Sequence, residues 1–230
     1  LILILCFAGA SFATHFLFPS VRWFFRRRAE KALARLNARL DRKIDLFKLA
    51  RRSDMVARLS YDARVVEAAM AHATSAGIPN DVAFQEARRY AREIVPSFNA
   101  YIYYRVGYAV ARAAARALYR VRIGFVDEDG LARIDRKSTI VFVMNHRSNM
   151  DYILVSFLAA EKVALSYAVG EWARVWPLQG LIRAMGAYFV RRDSGDPLYR
   201  MVLQRYVQMA TEGGVPQAMY PEGEIGRAHV

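Results

Sequence analysis

The chain opens on Leu1 to Phe18, an apolar run whose only ionisable side chains are Cys6 and His15. A run of this length is close to the shortest that spans a bilayer. Trp23, Phe24 and Phe25 follow, then Arg26, Arg27 and Arg28. Interfacial aromatics succeeded by an arginine cluster place the downstream chain on the cytoplasmic side of a membrane. A cleaved secretory signal fits less well, because its basic residues would precede the apolar run.

From residue 26 to 60 the pattern takes a helical period: Ala29, Leu33, Leu36 and Leu40 alternate with Arg35, Arg39, Arg42 and Lys43. This predicts an amphipathic helix whose basic side meets either anionic lipid or plain solvent. Two more helices are predicted over 60–76 and 79–94, separated by Gly77 and Pro79, with Asn80 or Asp81 as start signal. Residues 97–120 hold no acidic side chain. There Arg105, Arg112, Arg116 and Arg120 share one helical face beside a stripe of Tyr101, Tyr104 and Tyr108. Such a helix suits an anionic membrane surface or a nucleic acid, and the apolar run in the same chain favours the membrane.

Past Val121 the pattern becomes strand (122–126), acidic turn at Gly130, strand (139–144), helix (151–161), strand (163–169), helix (173–185), strand (187–190), helix (198–211) and strand (217–220). Alternation at this spacing predicts an α/β fold, a mainly parallel sheet flanked by helices. The expected organisation is a membrane-anchor segment over 1–20, a basic helical membrane-proximal region over 21–120, and an α/β domain over 121–230. Tyr167, Trp172 and Trp176 read as core aromatics, and His72 as a surface or core-edge residue.

Composition narrows the function classes. A hydrophobic fraction of 55% excludes a disordered chain. Cys6 stands alone, so no disulfide forms within the chain, and the scattered histidines His15, His72, His146 and His229 offer no metal-ligand spacing. The net charge of +13 belongs to the first half: residues 1–120 carry 21 Lys and Arg against 9 Asp and Glu, the rest 13 against 12. A basic half directed at a polyanionic surface is the implication.

The chemistry centres on the strand over 139–144 and the polar turn after it, which holds His146 and, five residues on, Asp151. His146 falls at the carboxyl end of a strand, where open α/β sheets bind ligands. Across a turn the carboxylate can reach one imidazole nitrogen while the other takes a proton. No Gly-x-Ser-x-Gly elbow is present, so the proton would come from a substrate hydroxyl.

Three blocks in order resemble the glycerolipid acyltransferase family: Asn145-His146-Arg147-Ser148-Asn149-Met150-Asp151-Tyr152, then Gly186-x-x-Phe189-x-Arg191-Arg192, then Tyr220-Pro221-Glu222-Gly223. The form of the first block and the doubled arginine are most similar to the glycerol-3-phosphate acyltransferase branch. The basic N-terminal half looks like the helical region of some bacterial members. The resemblance implies that 121–230 is an acyltransferase domain in which His146 is the general base and Asp151 its orienting partner. It further implies that Arg192 and Arg191 bind the glycerol phosphate. Gly186, which would admit close backbone approach, and Phe189 would belong to the substrate site, Glu222 and Gly223 would shape the acceptor pocket, and Arg147 and Ser148 would adjoin it.

The implied reaction moves a fatty acyl group from acyl carrier protein or coenzyme A to glycerol 3-phosphate, with no metal or other cofactor. Anionic lipids are the implied partners, nucleic acid is not, and the inner cell membrane with the domain on its cytoplasmic side is the implied location. Lysophosphatidate as acceptor, or a non-catalytic membrane-surface protein of the same fold, are the alternatives. After Gly223 the family pattern breaks: Glu224 to Val230 is the heptad that translation of a sequencing adapter gives after a glycine codon. Residues 224–230 are therefore expected to be foreign, Arg227 included, and the native chain to extend at both ends. Whether this stretch is active by itself stays open.

Overall fold

A computed structural model describes residues 23–24, 27–28, 30–31, 34–35, 37–38, 44, 46–122, 124–125, 127–135, 138–146, 148, 151–159, 163–170, 174–176, 178–191 and 194–221. The chain divides into residues 1–43 and 44–230. In the first unit the described positions from Trp23 to Asn37 are helical, and the Arg27 guanidinium lies 4.4 Å over the Trp23 ring. The expected anchor segment over 1–20 lies outside the described residues, and among those described no helix is long and apolar enough to cross a membrane.

The second unit begins with helices α1 (Leu46–Leu49), α2 (Arg52–Ser60), α3 (Ala63–Ala76) and α4 (Asn80–Ile94). The expected continuous helix over 26–60 is broken at Ala50 and Arg51. Helix α3 starts at Asp62, whose carboxylate accepts the Arg64 N–H at 3.2 Å, and ends at Gly77 with φ +64°. Both are sequence-encoded stops: a capping acid and a residue at home in the left-handed region. Ile102–Gly107 then forms a π-helical turn that runs into α5 (Tyr108–Leu118). The arginine stripe on this element is exposed, as its spacing predicts. Its tyrosines do not form a boundary stripe, because Tyr104 is half-buried and Tyr108 stacks on Phe157 at 6.2 Å.

Next come α6 (Glu128–Arg133), β1 (Val141–Val143), α7 (Asp151–Ala159), β2 (Ser166–Val169), α8 (Leu178–Ala184), β3 (Tyr188–Phe189), α9 (Pro197–Glu212) and β4 (Gln217–Met219). The strands pair in the order β1-β4-β2-β3, every pair parallel, with Val141 opposite Gln217, Ser166 opposite Gln217 and Ala168 opposite Tyr188. The α/β expectation holds. The strand expected over 122–126 does not form: Arg122, Gly124 and Phe125 lie outside the sheet, and Phe125 is 93% exposed, with no packing surface to favour an extended pairing. Around Gly130 the chain turns through a short helix. Trp176 is 89% exposed rather than core, Tyr167 is core, and Trp172 lies outside the described residues.

Alternate strand residues feed two apolar layers, as the two-residue period of a strand requires. Tyr167, Val169, Phe189 and Ala218 pack with Val155 of α7 and Ile182 of α8. Tyr188 and Ala168 turn the other way, to Leu198, Tyr199, Val202, Tyr206 and Met209 of α9 and to buried residues of α2, α3 and α4. The change of composition near residue 120 is therefore not a gap in packing. Further ties cross the same boundary: Lys48 Nζ donates to the carbonyls of Ala164 and Leu165 at 2.8 and 2.6 Å, and the Tyr103 hydroxyl accepts the Leu165 N–H at 3.1 Å.

Candidate active site

Because all four strands are parallel, their carboxyl ends lie along one edge, and His146, Tyr220, Gly170 and Arg191 each follow a different strand there. Beyond β1 the chain stays paired for one more residue, with Met144 N–H donating to the Met219 carbonyl at 3.1 Å. Two residues later His146 is 3% exposed, its ring 4.6 Å from that of Tyr220. Asp151 is the first residue of α7.

Two donors converge on a single oxygen of Asp151. Its Oδ2 lies 3.2 Å from His146 Nδ1 and accepts the Ser148 backbone N–H at 2.8 Å, while the Asp151 N–H donates to the Ser148 carbonyl at 3.0 Å. The Ser148–Asp151 exchange ties the turn to the first residue of α7, the carboxylate reaching back to the N–H three residues before it. The same bond that starts α7 thus fixes the carboxylate that orients the histidine. A carboxylate only accepts, so Nδ1 bears the proton and the basic lone pair sits on Nε2. The arrangement can take a proton from a hydroxyl and hold the resulting imidazolium against a negative charge.

The second block is placed in two parts. Gly186 lies at the opposite, amino edge of the sheet with φ +89°, and a Cβ there would come within 2.9 Å of Lys48 Cε and 3.1 Å of Phe98 Cδ2. The close approach at Gly186 is therefore by Lys48 and Phe98. Phe189 is fully buried, with the Arg183 guanidinium 5.1 Å and that of Arg174 5.7 Å from its ring.

Arg191 follows β3 on the catalytic edge. It donates from Nε to Glu93 Oε1 at 2.9 Å and from Nη2 to Glu93 Oε2 at 2.6 Å. Arg174 also donates to Glu93. Burial alone would raise the pKa of Glu93, but hydrogen bonds and charge from Arg191 and Arg174 outweigh it and hold the carboxyl below its usual range. Arg191 shifts the other way, raised chiefly by its bond to Glu93. Its guanidinium sits in the corner of an edge-to-face pair, 5.0 Å from the Tyr90 ring and 5.1 Å from that of Tyr199, whose hydroxyl accepts the Arg191 backbone N–H at 3.0 Å. At a strand spacing of about 4.8 Å, the strands bearing His146 and Arg191 are about 14 Å apart. Arg147, Arg192, Glu222 and Gly223 lie outside the described residues.

Glu93, Tyr90 and Tyr199 carry no motif, and nothing in Arg88-Arg89-Tyr90-Ala91-Arg92-Glu93 marks the partner of the acid. Among the described residues no group of three His, Cys, Asp or Glu side chains is arranged to hold a metal ion.

A parallel α/β sheet carrying a buried histidine against a half-buried aspartate on its carboxyl edge is an arrangement able to activate a hydroxyl. Residues 125–229 match the family described as Acyltransferase. Over 166 residues, 71% of the chain, it is 30% identical to a glycerol-3-phosphate acyltransferase of Xylella fastidiosa, of which this covers 19%. Proteins of the same name from Pseudoalteromonas atlantica (35% over 91 residues, 38% of the chain and 11% of the relative) and Pasteurella multocida (28% over 187 residues, 78% and 22%) are also similar. Residues 125–229 are thus similar to the acyltransferase family, and the chain spans a fifth or less of the length of most of these relatives, 22% at most.

Proposed function

We propose that the chain is the catalytic part of a membrane-bound acyltransferase that moves a fatty acyl group from a thioester to glycerol 3-phosphate. The observation that carries this reading is the convergence of His146 and the Ser148 N–H on one oxygen of Asp151, which sets the tautomer a general base requires. His146 Nε2 takes the proton of the glycerol hydroxyl as its oxygen attacks the thioester carbonyl. The tetrahedral oxyanion collapses, the carbon–sulfur bond breaks, and the imidazolium returns the proton to the leaving thiolate. The products are an ester and a free thiol, so no metal or other cofactor enters the balance. The donor is acyl carrier protein or coenzyme A thioester.

Arg191 and Arg192 bind the acceptor phosphate in this reading, since a guanidinium fork matches a dianion. Glu222 and Gly223 shape the acceptor pocket. The exposed face of Arg105, Arg112, Arg116 and Arg120, together with exposed Val106, Val110 and Leu118, suits the anionic cytoplasmic surface of the cell membrane. Residues 1–20 provide the anchor.

The test is acyl transfer by the full protein, offered glycerol 3-phosphate and lysophosphatidate in competition, beside His146→Ala. Wild type should prefer glycerol 3-phosphate, and the variant should lose transfer while keeping its melting temperature and vesicle binding. Preference for lysophosphatidate would reject the acceptor, and undiminished turnover by His146→Ala would reject the general base.

A further inference from the structure

Helix α4 ends among guanidinium groups that do more than neutralise it. Arg52 donates from Nε to the Val95 carbonyl at 3.0 Å and also to that of Arg92. Arg183 reaches the carbonyls of Arg92 and Glu93 at 3.3 and 3.0 Å. The last carbonyls of a helix lack intrahelical partners, and cations complement the negative end of its dipole. These four bonds fix the backbone on which Glu93 is mounted. The Glu93 side chain, 15% exposed, then faces Arg174 and Arg191.

A guanidinium has five N–H groups. Glu93 takes Nε–H and one hydrogen of Nη2, and among the described residues Nη1 of Arg191 donates no hydrogen bond. The edge made by Nη1 and the second Nη2 hydrogen is the edge that forks onto an oxyanion. The Tyr90–Tyr199 corner stops the group from turning about its own axis.

We propose that Glu93 is the positioning residue of the acceptor-phosphate subsite: it grips the Nε–Nη2 edge of Arg191 so that the adjoining Nη1–Nη2 edge meets the phosphate of glycerol 3-phosphate. The assignment rests on the acyltransferase reading above and adds a residue from the helical region to the substrate site. Glu93 acts through Arg191 and does not touch the phosphate.

The test uses Glu93→Gln, Glu93→Asp, Arg191→Ala and the Glu93→Gln/Arg191→Ala double variant of the full protein, with kinetics in each substrate and calorimetric binding of glycerol 3-phosphate, which needs no turnover. Glu93→Gln should raise both KM and Kd for glycerol 3-phosphate about tenfold, with kcat and the thioester KM within about twofold. Glu93→Asp should recover much of that loss, and the double variant should bind no more weakly than Arg191→Ala. A fall in kcat with both KM values unchanged, or unaltered binding by Glu93→Gln, overturns the proposal. So does unaltered binding by Arg191→Ala, even while transfer to glycerol 3-phosphate continues. Wild type that binds glycerol 3-phosphate, weakened as expected by Glu93→Gln, yet transfers no acyl group would sink the catalytic reading and leave the subsite standing.

Discussion

Replacing Asp151 by Asn separates the two duties of its Oδ2. The backbone N–H of Ser148 donates to that position at 2.8 Å and His146 Nδ1 lies 3.2 Å away, so two donors require an acceptor there. The carboxamide should place its oxygen there, keeping the helix start and the imidazole tautomer while losing the charge. Opposite charges about 4 Å apart attract by about 4 kcal/mol at an effective dielectric of about 20. The Asp151 side chain is 22% exposed, so water screens part of this, and about 2–3 kcal/mol of imidazolium stabilisation should go. That lowers kcat by about 30- to 150-fold. Release of free thiol from an acyl thioester measures it, with circular dichroism showing an unchanged melting temperature. Asp151→Ala also removes the bond at the helix start and should cost a further ~1 kcal/mol of stability. An Asn variant within twofold of wild-type kcat would refute the argument. A loss near 10⁴-fold would refute it differently, because it would mean that the amide had turned its NH2 to the ring and imposed the wrong tautomer.

Gly186→Ala combines a φ of +89° with a Cβ 2.9 Å from Lys48 Cε and 3.1 Å from Phe98; urea denaturation should show a loss of about 1–3 kcal/mol, and a stability equal to wild type would show that the turn relaxes. The pKa of Glu93 lies below its usual 4.5 in the folded chain, so its contribution to stability is complete above that value and is lost as pH falls through the lowered one. Glu93→Gln should therefore be less stable near neutrality and show a shallower acid limb in pH-dependent melting; an unchanged limb would contradict the ion-pair account. Arg112→Glu with Arg116→Glu should weaken binding to anionic vesicles by about 1 kcal/mol or more per site and flatten its salt dependence, with neutral vesicles as the control.

What the sequence could tell was unevenly spread. Thr139 to Met144 and Val163 to Val169 were legible as strands because both runs are almost wholly apolar, the pattern of a strand covered on both faces; β2 is covered so, whereas Val141 and Val143 of β1 turn to the surface. Residues 122–126 carry apolar residues too, yet the described Arg122, Gly124 and Phe125 lie outside the sheet, and local pattern does not report partners. His146 and Asp151 were readable because five residues cross one turn. Glu93 was invisible for the opposite reason: its 98-residue separation from Arg191 is closed only by packing α4 against the sheet. Gly186 was recognised as special, yet the group that approaches it, Lys48, lies far upstream and carries no signal of its own. Tyr104 and Tyr108 have the spacing of a surface stripe, and burial against neighbouring elements overrides it.

The apolar layer shared by α9 with α2, α3 and α4 bears on how this protein can be cut. A polypeptide starting at residue 121 would contain all three sequence blocks, yet it would turn Tyr188, Leu198, Tyr199, Val202, Tyr206 and Met209 toward water and leave Arg191 without its carboxylate. Such a truncation removes half of a core, not an appendage. The smallest piece that keeps this core whole begins near Ile44, well ahead of the first recognisable motif.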